Sequence, residues 1–348
     1  MTEEVNTRGW PEEGLEHLAS CPICRSDVRR CLYQGLRDHI FNAPGCWRLY
    51  LCEQCGTAYL NPRPNTKTIH LAYEKYYTHH TQLDDEPQQA GNDWRSSLKQ
   101  LILRSYIRTR FGKFSPTLTD GWAIAMYLRP WLRRRFDGAM RHLPRSVPDT
   151  KTVLDVGCGN GRFLSWARTA GWKGVGTEFD PTAARIARAR GFEVHEKPLE
   201  YLVEAGRTFD AITISHVVEH VHDVRSFLVA ARRLLKPQGF FWIETPNIQA
   251  YGHQIFGAGW RGLHPPQHLQ IFSRNALEAH MRQAGFVDIR SLPWQPNWRA
   301  MAELSFQGPV YEGAKRQRLR LGCLNELVAY RDSSQSEFIT LAATTQAD

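Results

Sequence analysis

The stretch VLDVGCGNG at residues 153–161 decides the fold of this chain. An apolar, strand-like run ends at Val156, and Gly157, Gly159 and Gly161 follow at alternate positions before a helical pattern begins. Glycine permits a sharp turn and lets a ligand approach the backbone closely. The N-terminus of the following helix offers unpaired N–H groups and a positive dipole end, which suit an anionic group. The stretch therefore predicts a strand–turn–helix unit with a ligand at the turn, where Asp155 could bond to an ammonium or a hydroxyl.

The spacing of the glycines separates two classes of cofactor. A dinucleotide fingerprint would need a small residue at position 162, where this chain has Arg162. Glu178 ends the next strand-like run, about twenty residues on, where an acid can accept both hydroxyls of a ribose. Dinucleotide sites have an acid at the same place, so only the glycine spacing distinguishes this site from a dinucleotide site. The alternative interpretation is a purely structural turn beside a surface acid.

The pattern around the glycine turn predicts a doubly wound, mostly parallel α/β sheet. From Lys151 onward, apolar strand-like runs alternate with helical patterns, as in parallel sheets covered by helices. The predicted strands are residues 152–156, 174–178, 209–215, 240–244 and 287–291, with residues 338–343 completing the sheet. The predicted helices are residues 163–170, 181–190, 224–235 and 274–284.

Five segments of residues 151–291 resemble class I S-adenosylmethionine (SAM)-dependent methyltransferases of the UbiE/UbiG-like superfamily. They read VLDVGCGNGRFL, GVGTEFDPTAARIARARGFEV, FDAITISHVVEHVHD, LLKPQGFFWIETPN and HLQIFSRNALEAHMRQAGF. The resemblance implies a Rossmann-like fold in which Asp155, Gly157 and Gly159 line the methionine end of SAM. It also implies that Glu178 holds the ribose and that Phe179 flanks the adenine. Residues 197–200 (KPLE) depart from the family pattern, so adenine recognition is left to backbone groups or Glu200.

Candidate catalytic residues follow the fourth strand, at the carboxyl edge where ligands of such sheets bind. Ser215 is expected at the cofactor, and His220 is the first candidate for a general base because an unperturbed imidazole titrates near pH 6.5. Glu219 could orient His220, and His216 is the rival base. The alternative is that these residues only shape the cofactor pocket. His268, in a proline-containing loop at 264–268, is a second base candidate or a packing histidine.

Two CxxC pairs near the N-terminus predict a structural zinc site. Cys21, Cys24, Cys52 and Cys55 could supply four thiolates to a tetrahedral ion. Gly56 follows the second pair, where positive φ is often needed, whereas Arg25 is less suited to the matching position. A redox pair would instead accompany a thioredoxin-like βαβ unit, which is not predicted here.

The remaining pattern gives the predicted domain organisation. We expect a flexible tail at 1–20, a zinc ribbon at 21–64, a linker (about 78–93) and basic helical cap within 65–150, and a methyltransferase domain at 151–348. The cap comprises helices at 94–111 and 122–143. In the second of these, the arginines at positions 129, 133, 134 and 141 lie opposite an apolar stripe.

Composition narrows the class of protein. Apolar residues make up 42% of the 348 residues, which supports a substantial core. No run is long and apolar enough to cross a membrane, the N-terminus does not resemble a secretory signal, and the CxxC pairs suit a reducing compartment, so we expect a cytoplasmic protein.

The sequence says less about the methyl acceptor and about the binding partners of the protein. We expect a small-molecule, sugar or glycan acceptor in natural-product or cell-surface polysaccharide biosynthesis, with the methyl group transferred to oxygen or to carbon. The net charge of +9 keeps open an RNA methyltransferase that docks RNA with the zinc ribbon, although the base-methylating N/D-P-P-Y/F motif does not follow the fourth strand. Nucleic acid is therefore an unlikely partner. The basic helices either contact a membrane surface or brace the protein, and the oligomeric state is not predicted.

Overall fold

The computed structural model describes residues 9–74, 94–112, 130–145, 151–293, 297–305 and 333–346. The first eight residues of the predicted tail, the predicted linker at 78–93 and the predicted helical residues 122–129 lie outside the described residues.

Thirteen strands are present in the described residues. They are β1 (Leu15–Glu16), β2 (Arg29–Leu36), β3 (Trp47–Cys52), β4 (Ala58–Leu60), β5 (Arg63–Pro64), β6 (Thr152–Val156), β7 (Lys173–Thr177), β8 (Glu193–His195), β9 (Phe209–Ser215), β10 (Leu235–Pro246), β11 (Gln270–Ile271), β12 (Val287–Ser291) and β13 (Phe338–Thr344).

The described part of the chain also contains nine α-helices. They are α1 (Trp94–Phe111), α2 (Pro130–Ala139), α3 (Arg162–Thr169), α4 (Pro181–Ala189), α5 (Leu199–Glu204), α6 (Val224–Leu234), α7 (Tyr251–Phe256), α8 (Arg274–Gln283) and α9 (Trp298–Ser305). Short 3₁₀ helices lie at Ile69–Ala72 and Val218–His220, among others. None of the described helices is both long enough and apolar enough to cross a bilayer.

Seven strands form the central sheet in the order β12-β13-β10-β9-β6-β7-β8. The pairs β6–β7, β6–β9 and β7–β8 are parallel, as the alternation of strands and helices predicts. Strand β13 lies between β12 and β10, so the last apolar run does complete the sheet. The mostly parallel α/β sheet predicted from the sequence is therefore confirmed.

The chain divides into two compact units, and the predicted domain boundaries stay a prediction. The first unit comprises residues 1–76, 216–229 and 243–341, and the second comprises residues 77–215, 230–242 and 342–348. In the first unit, β11 pairs with β4 in a four-stranded sheet ordered β11-β4-β3-β2. The cysteine-bearing strands predicted as a separate module at 21–64 therefore share a sheet with residues 270–271.

Each unit has its own apolar core. The core of the first unit contains Trp47, Trp260 and Trp298, all almost fully buried. In the second unit, Tyr106, Ile107 and Phe111 of α1 are buried in a cluster with Phe163 and other residues that flank the sheet. The apolar side of α1 is thus used inside the second unit, which favours the bracing interpretation of the basic helices over the membrane-contact interpretation.

The end of the second basic helix differs from its prediction. The α-helix ends at Ala139, and Arg141 and His142 have positive φ values of 51° and 49°. These values interrupt the helical spacing that placed Arg141 among solvent-facing arginines. The Arg141 side chain is only 12% exposed and pairs with Asp155, so the prediction of a solvent-facing Arg141 was wrong.

Candidate functional site

The glycine turn has the geometry predicted from its sequence. Gly157, Gly159 and Gly161 all have positive φ, at 69°, 52° and 79°. The Gly157 N–H donates to the Thr177 carbonyl at 2.8 Å, which joins the turn to the end of β7. A Cβ atom added at Gly159 would meet no atom within 4 Å, so the backbone is open to a ligand there. The turn is therefore a half-buried cradle at the carboxyl end of β6, with open space at Gly159.

Glu178 is bonded to this cradle directly. The Gly159 N–H donates to Glu178 Oε2 at 2.8 Å, and the Asp180 N–H donates to Oε1 at 2.9 Å. Each carboxylate oxygen keeps acceptor capacity for one further donor, as the two hydroxyls of a ribose would require. Burial raises the pKa of Glu178. The next residue, Phe179, is 69% exposed, which leaves its ring available to a flat ligand.

Asp155 at the end of β6 is fully buried in the second unit. The Arg141 guanidinium donates to Asp155 Oδ1, which also accepts from the Thr213 hydroxyl at 3.2 Å. Among the described residues, nothing bonds to Oδ2. Burial raises the pKa of Asp155 to about 6 in spite of the nearby guanidinium. The structure thus gives Asp155 a protein partner that the sequence did not predict, and leaves one buried oxygen for a ligand.

Ser215 and Glu200 complete the predicted cofactor residues. Ser215 ends β9 and is half-buried. Glu200 lies in the first turn of α5 and is exposed. The described contacts therefore assign neither residue a partner that would favour adenine or methionine recognition.

His216 is held between two carboxylates in the first unit. Its Nδ1 lies 3.3 Å from Glu219 Oε1, and its Nε2 lies 3.6 Å from Glu244 Oε1. Desolvation opposes a charge on this ring, but the two carboxylates outweigh it and raise the pKa of His216 to about 10. Since both ring nitrogens face acceptors, the ring has no lone pair to offer as a base at neutral pH.

His220 has different partners. Its Nδ1 lies 2.8 Å from the Gln267 carbonyl oxygen and 3.0 Å from the Tyr73 hydroxyl. A carbonyl oxygen can only accept, so Nδ1 carries the proton and Nε2 keeps its lone pair in the neutral ring. Glu219, expected to orient His220, is instead paired with His216, and its Oε2 accepts from the Thr245 hydroxyl at 2.9 Å.

His268 packs against His220 with ring centroids 4.9 Å apart. Its Nδ1 donates to the Gly262 carbonyl at 2.8 Å, so its lone pair is also on Nε2. Burial holds the pKa of His268 well below its usual range, which makes this ring a weaker base. Glu219, His220 and His268 each place one ligand atom within 4.8 Å of the others, so these three side chains could also hold a metal ion.

The four predicted cysteine ligands come together in the first unit. Their sulfur atoms all lie within 4.8 Å of one another, with Cys21–Cys55 and Cys24–Cys52 Sγ distances of 3.8 Å and 3.4 Å. Sulfur atoms about 2.3 Å from a tetrahedral zinc would lie about 3.8 Å apart, so the arrangement fits zinc. The hydrogen bond from Cys21 lowers the pKa of Cys55.

The residues that follow each CxxC pair have similar backbone geometry. Arg25 has a φ of 66° and Gly56 a φ of 72°. The two N–H groups donate to the Cys21 and Cys52 carbonyls at 3.0 Å and 2.9 Å. Arg25 thus adopts the left-handed conformation that its type disfavours, and both knuckles are formed.

Comparison with known proteins identifies the family. A family profile described as a methyltransferase domain matches residues 129–291. The ubiquinone biosynthesis O-methyltransferase of Brucella anthropi is 31% identical over 201 residues, covering 53% of this chain and 79% of the relative. The chain belongs to the SAM-dependent methyltransferase family. The enzyme of the same name from Methylobacterium sp. is 35% identical over 147 residues, covering 37% of this chain and 59% of the relative.

The chain also resembles solved methyltransferase structures at lower sequence identity. A SAM-dependent methyltransferase from Archaeoglobus fulgidus is 18% identical, with a TM-score of 0.41, covering 64% of this chain and 93% of that one.

The methyltransferase sheet brings together the predicted residues of the second unit. Asp155, the three glycines and Glu178 surround one cradle, and the orphaned Asp155 oxygen and open Gly159 position fit a ligand such as SAM. In the first unit, His216, Glu219, His220 and His268 form one cluster.

Sequence reasoning missed three polar residues of these sites. Arg141 was assigned to a solvent-facing side, Gln267 was named only as a member of the loop at 264–268, and Tyr73 was not singled out. Gln267 is fully buried in the HPPQHLQ run at 264–270. A glutamine inside a run that also carries two prolines and apolar neighbours was the available signal, because buried amides need partners.

Proposed function

We propose that this SAM-dependent methyltransferase methylates a hydroxyl group of a small-molecule acceptor, with His220 as general base. The relatives quoted above are named as O-methyltransferases, which supports oxygen as the methylated atom. SAM supplies an electrophilic methyl group when bound, and a hydroxyl attacks it readily only as it loses its proton. A positioned base therefore contributes to the rate.

The observation that carries this proposal is the hydrogen bonding of His220. The Gln267 carbonyl fixes the proton on Nδ1, so Nε2 is left as the acceptor for a proton from the substrate. His216 cannot serve in the same way because both of its ring nitrogens face carboxylates. We infer that His216 acts as a fixed positive charge beside Glu219.

We further propose that the cofactor is held by the cradle in the second unit. Glu178 would accept the ribose hydroxyls, and the Gly157–Gly159 backbone would receive the methionine end of SAM beside Asp155. Phe179 would cover the adenine with its exposed ring. The role of Ser215 in the cofactor site stays a prediction.

The acceptor that we propose is a sugar, a glycan or a secondary metabolite with a free hydroxyl. The four cysteines would hold a structural zinc ion, whose role is to fix the N-terminal strands. The hydrogen bonds of His220 do not depend on the identity of the acceptor or on the zinc ion. The role of His220 as general base can therefore be tested separately from those two proposals.

The experiment compares three histidine variants, His220→Asn, His268→Asn and the control His70→Asn. His70 is exposed, so its loss should not affect the site. Transfer of labelled methyl from SAM to a panel of phenols and sugars is measured, together with SAM affinity by calorimetry. His220→Asn should lower turnover by about a hundredfold or more and leave SAM affinity unchanged. Turnover within about threefold of wild type would remove His220 as the base.

A further inference from the structure

Residues 267–270 lead into β11, and the N-terminal part of the first unit holds them in place. The Leu60 N–H donates to the Leu269 carbonyl at 3.0 Å, and Gln270 pairs with Tyr59 in the β11–β4 ladder. The side-chain amide of Gln267 donates to the Ala72 carbonyl at 2.8 Å. The position of this segment is therefore set by strand β4 and the 3₁₀ helix Ile69–Ala72.

The same segment holds the turn that carries His220, which we call the histidine turn (residues 218–221). The Leu269 N–H donates to the Glu219 carbonyl at 2.9 Å. The Gln270 amide nitrogen lies 3.1 Å from the Val218 carbonyl oxygen and 2.7 Å from that of Val221. The Val218 carbonyl also accepts from the Val221 N–H at 3.4 Å, whereas the Val221 carbonyl lies just past the end of the 3₁₀ helix and needs a partner from outside it.

Gln270 is well suited to this contact because its side chain is fully buried. An amide offers two N–H donors, which matches the two closest carbonyls. On its other side, the amide oxygen faces Nη1 of the buried Arg63 at 3.5 Å. A methionine has a similar length but no donor, so it would remove the side-chain donor from the Val221 carbonyl and the second donor from the Val218 carbonyl.

We propose that Gln270 is a positioning residue that holds His220 in its base-competent tautomer, and that the N-terminal strands act as a brace for the histidine turn. The link is geometric, because the segment that grips the turn through Leu269 and Gln270 also provides the Gln267 carbonyl that binds His220 Nδ1. If the turn moves relative to the segment, that hydrogen bond is lost and both tautomers become populated. The consequence for turnover rests on the proposed function of His220.

The test uses the full-length protein with Gln270→Met, the milder variant Gln270→Asn and the control Gln283→Met. Gln283 lies on α8 and is exposed, so its substitution makes the same chemical change outside the brace. The readout is the ¹⁵N NMR spectrum of the histidine rings, with the His220 signals assigned by their loss in His220→Asn. SAM affinity and thermal unfolding are measured on the same samples.

In wild type and Gln283→Met, we expect one His220 tautomer with the proton on Nδ1. In both Gln270 variants we expect mixed tautomers with unchanged SAM affinity. Turnover should also fall by about tenfold or more, with little change in the KM for the acceptor, because a small displacement of a base is costly. If Gln270→Met fails to fold, Gln270→Asn decides the matter.

Unaltered His220 signals in a folded Gln270 variant would overturn the proposal. The NMR readout needs no acceptor, so it remains decisive even if His220 proves not to be the base. Mixed tautomers together with full turnover would instead refute the role of His220 in catalysis and leave its positioning by Gln270 intact.

Discussion

Replacement of Arg141 by methionine should destabilise the protein in a strongly pH-dependent way. The Arg141 guanidinium bonds to Asp155 and to the Thr213 hydroxyl and lies over the Phe163 ring, 3.9 Å from its centroid. Asp155 has no exposed surface. A methionine would keep part of the contact with the ring but would leave a buried carboxylate without its cation.

The magnitude follows from the pKa of Asp155. Burial raises that pKa from 3.8 to about 6 in the folded protein. A raised pKa means that the folded state binds the proton more tightly than the unfolded state does. This group therefore favours folding at low pH and lowers the free energy of unfolding as the pH rises from about 4 to about 6. A rise of roughly two units corresponds to about 3 kcal/mol lost by pH 7, at about 1.4 kcal/mol per unit.

Loss of Arg141 removes the attraction that limits this pKa rise. At pH 8 the carboxylate must either stay charged and unpaired or take up a proton, and we expect a loss of about 3 kcal/mol in the free energy of unfolding. At pH 5 the carboxyl is largely protonated with or without Arg141, so the loss should be about 1 kcal/mol, the value of a neutral hydrogen bond.

Urea unfolding followed by circular dichroism at pH 5 and pH 8 measures both values. The double variant Arg141→Met/Asp155→Asn supplies the control, because asparagine removes the buried charge and should restore most of the stability at pH 8. Other carboxyls with raised pKa values titrate in wild type and variant alike, so they cancel in the difference. A loss that is equal at the two pH values and is not relieved by Asp155→Asn would refute this account of the pair.

Two further predictions concern the cofactor and the metal. Glu178→Ala should weaken SAM binding by about tenfold or more, as measured by calorimetry, because it removes two charge-assisted hydrogen bonds. Glu204→Ala, at an exposed position that has no proposed role in the cofactor site, is the control, and equal affinities of wild type and Glu178→Ala would exclude Glu178 as the ribose ligand. Purified protein should contain about one zinc ion per chain by elemental analysis, and Cys24→Ser should lower that content. A chelated, metal-free sample that unfolds at the same temperature as the untreated protein would contradict a structural site.

The inner strands β6 and β9 were predictable because they are mostly apolar and buried, whereas the edge strand β12 alternates between apolar and polar residues. Strands β6, β9 and β12 begin and end at the predicted residues, since runs such as TVLDV and FDAITIS have no other place than a buried sheet. Strand β10 is much longer than its prediction at 240–244, because it begins at Leu235 and includes the KPQG sequence at 236–239. Gln238, in this stretch, has a φ of 56°, so the strand contains a local irregularity that the sequence pattern could not distinguish from a turn.

The polar residues of the site were predictable only where a suitable residue type stands in a motif of fixed spacing. The glycines, Glu178 and the CxxC pairs stand in motifs of fixed spacing, so the sequence alone was enough to predict them as site residues, and their roles stay a prediction. Arg141 escaped detection because the left-handed backbone after Ala139 redirects its side chain, and helical spacing gives no warning of that. Gln267 and Gln270 escaped for another reason, since their partners lie dozens of residues away or more along the chain.

The methyltransferase domain was predicted to begin at residue 151. The first compact unit, however, contains residues from both sides of that boundary, namely 1–76, 216–229 and 243–341. A fragment of residues 151–348 would retain the histidine turn and β11 but would lack β4, the strand with which β11 pairs, and the Tyr73 hydroxyl beside His220. It would also leave Gln267 and Ser273 without their acceptors on Ala72 and Cys55. Unsatisfied buried amides are costly, so the 264–273 segment would not be expected to keep its conformation in such a fragment. The N-terminal strands are therefore better regarded as part of the support of the histidine cluster than as a detachable docking domain.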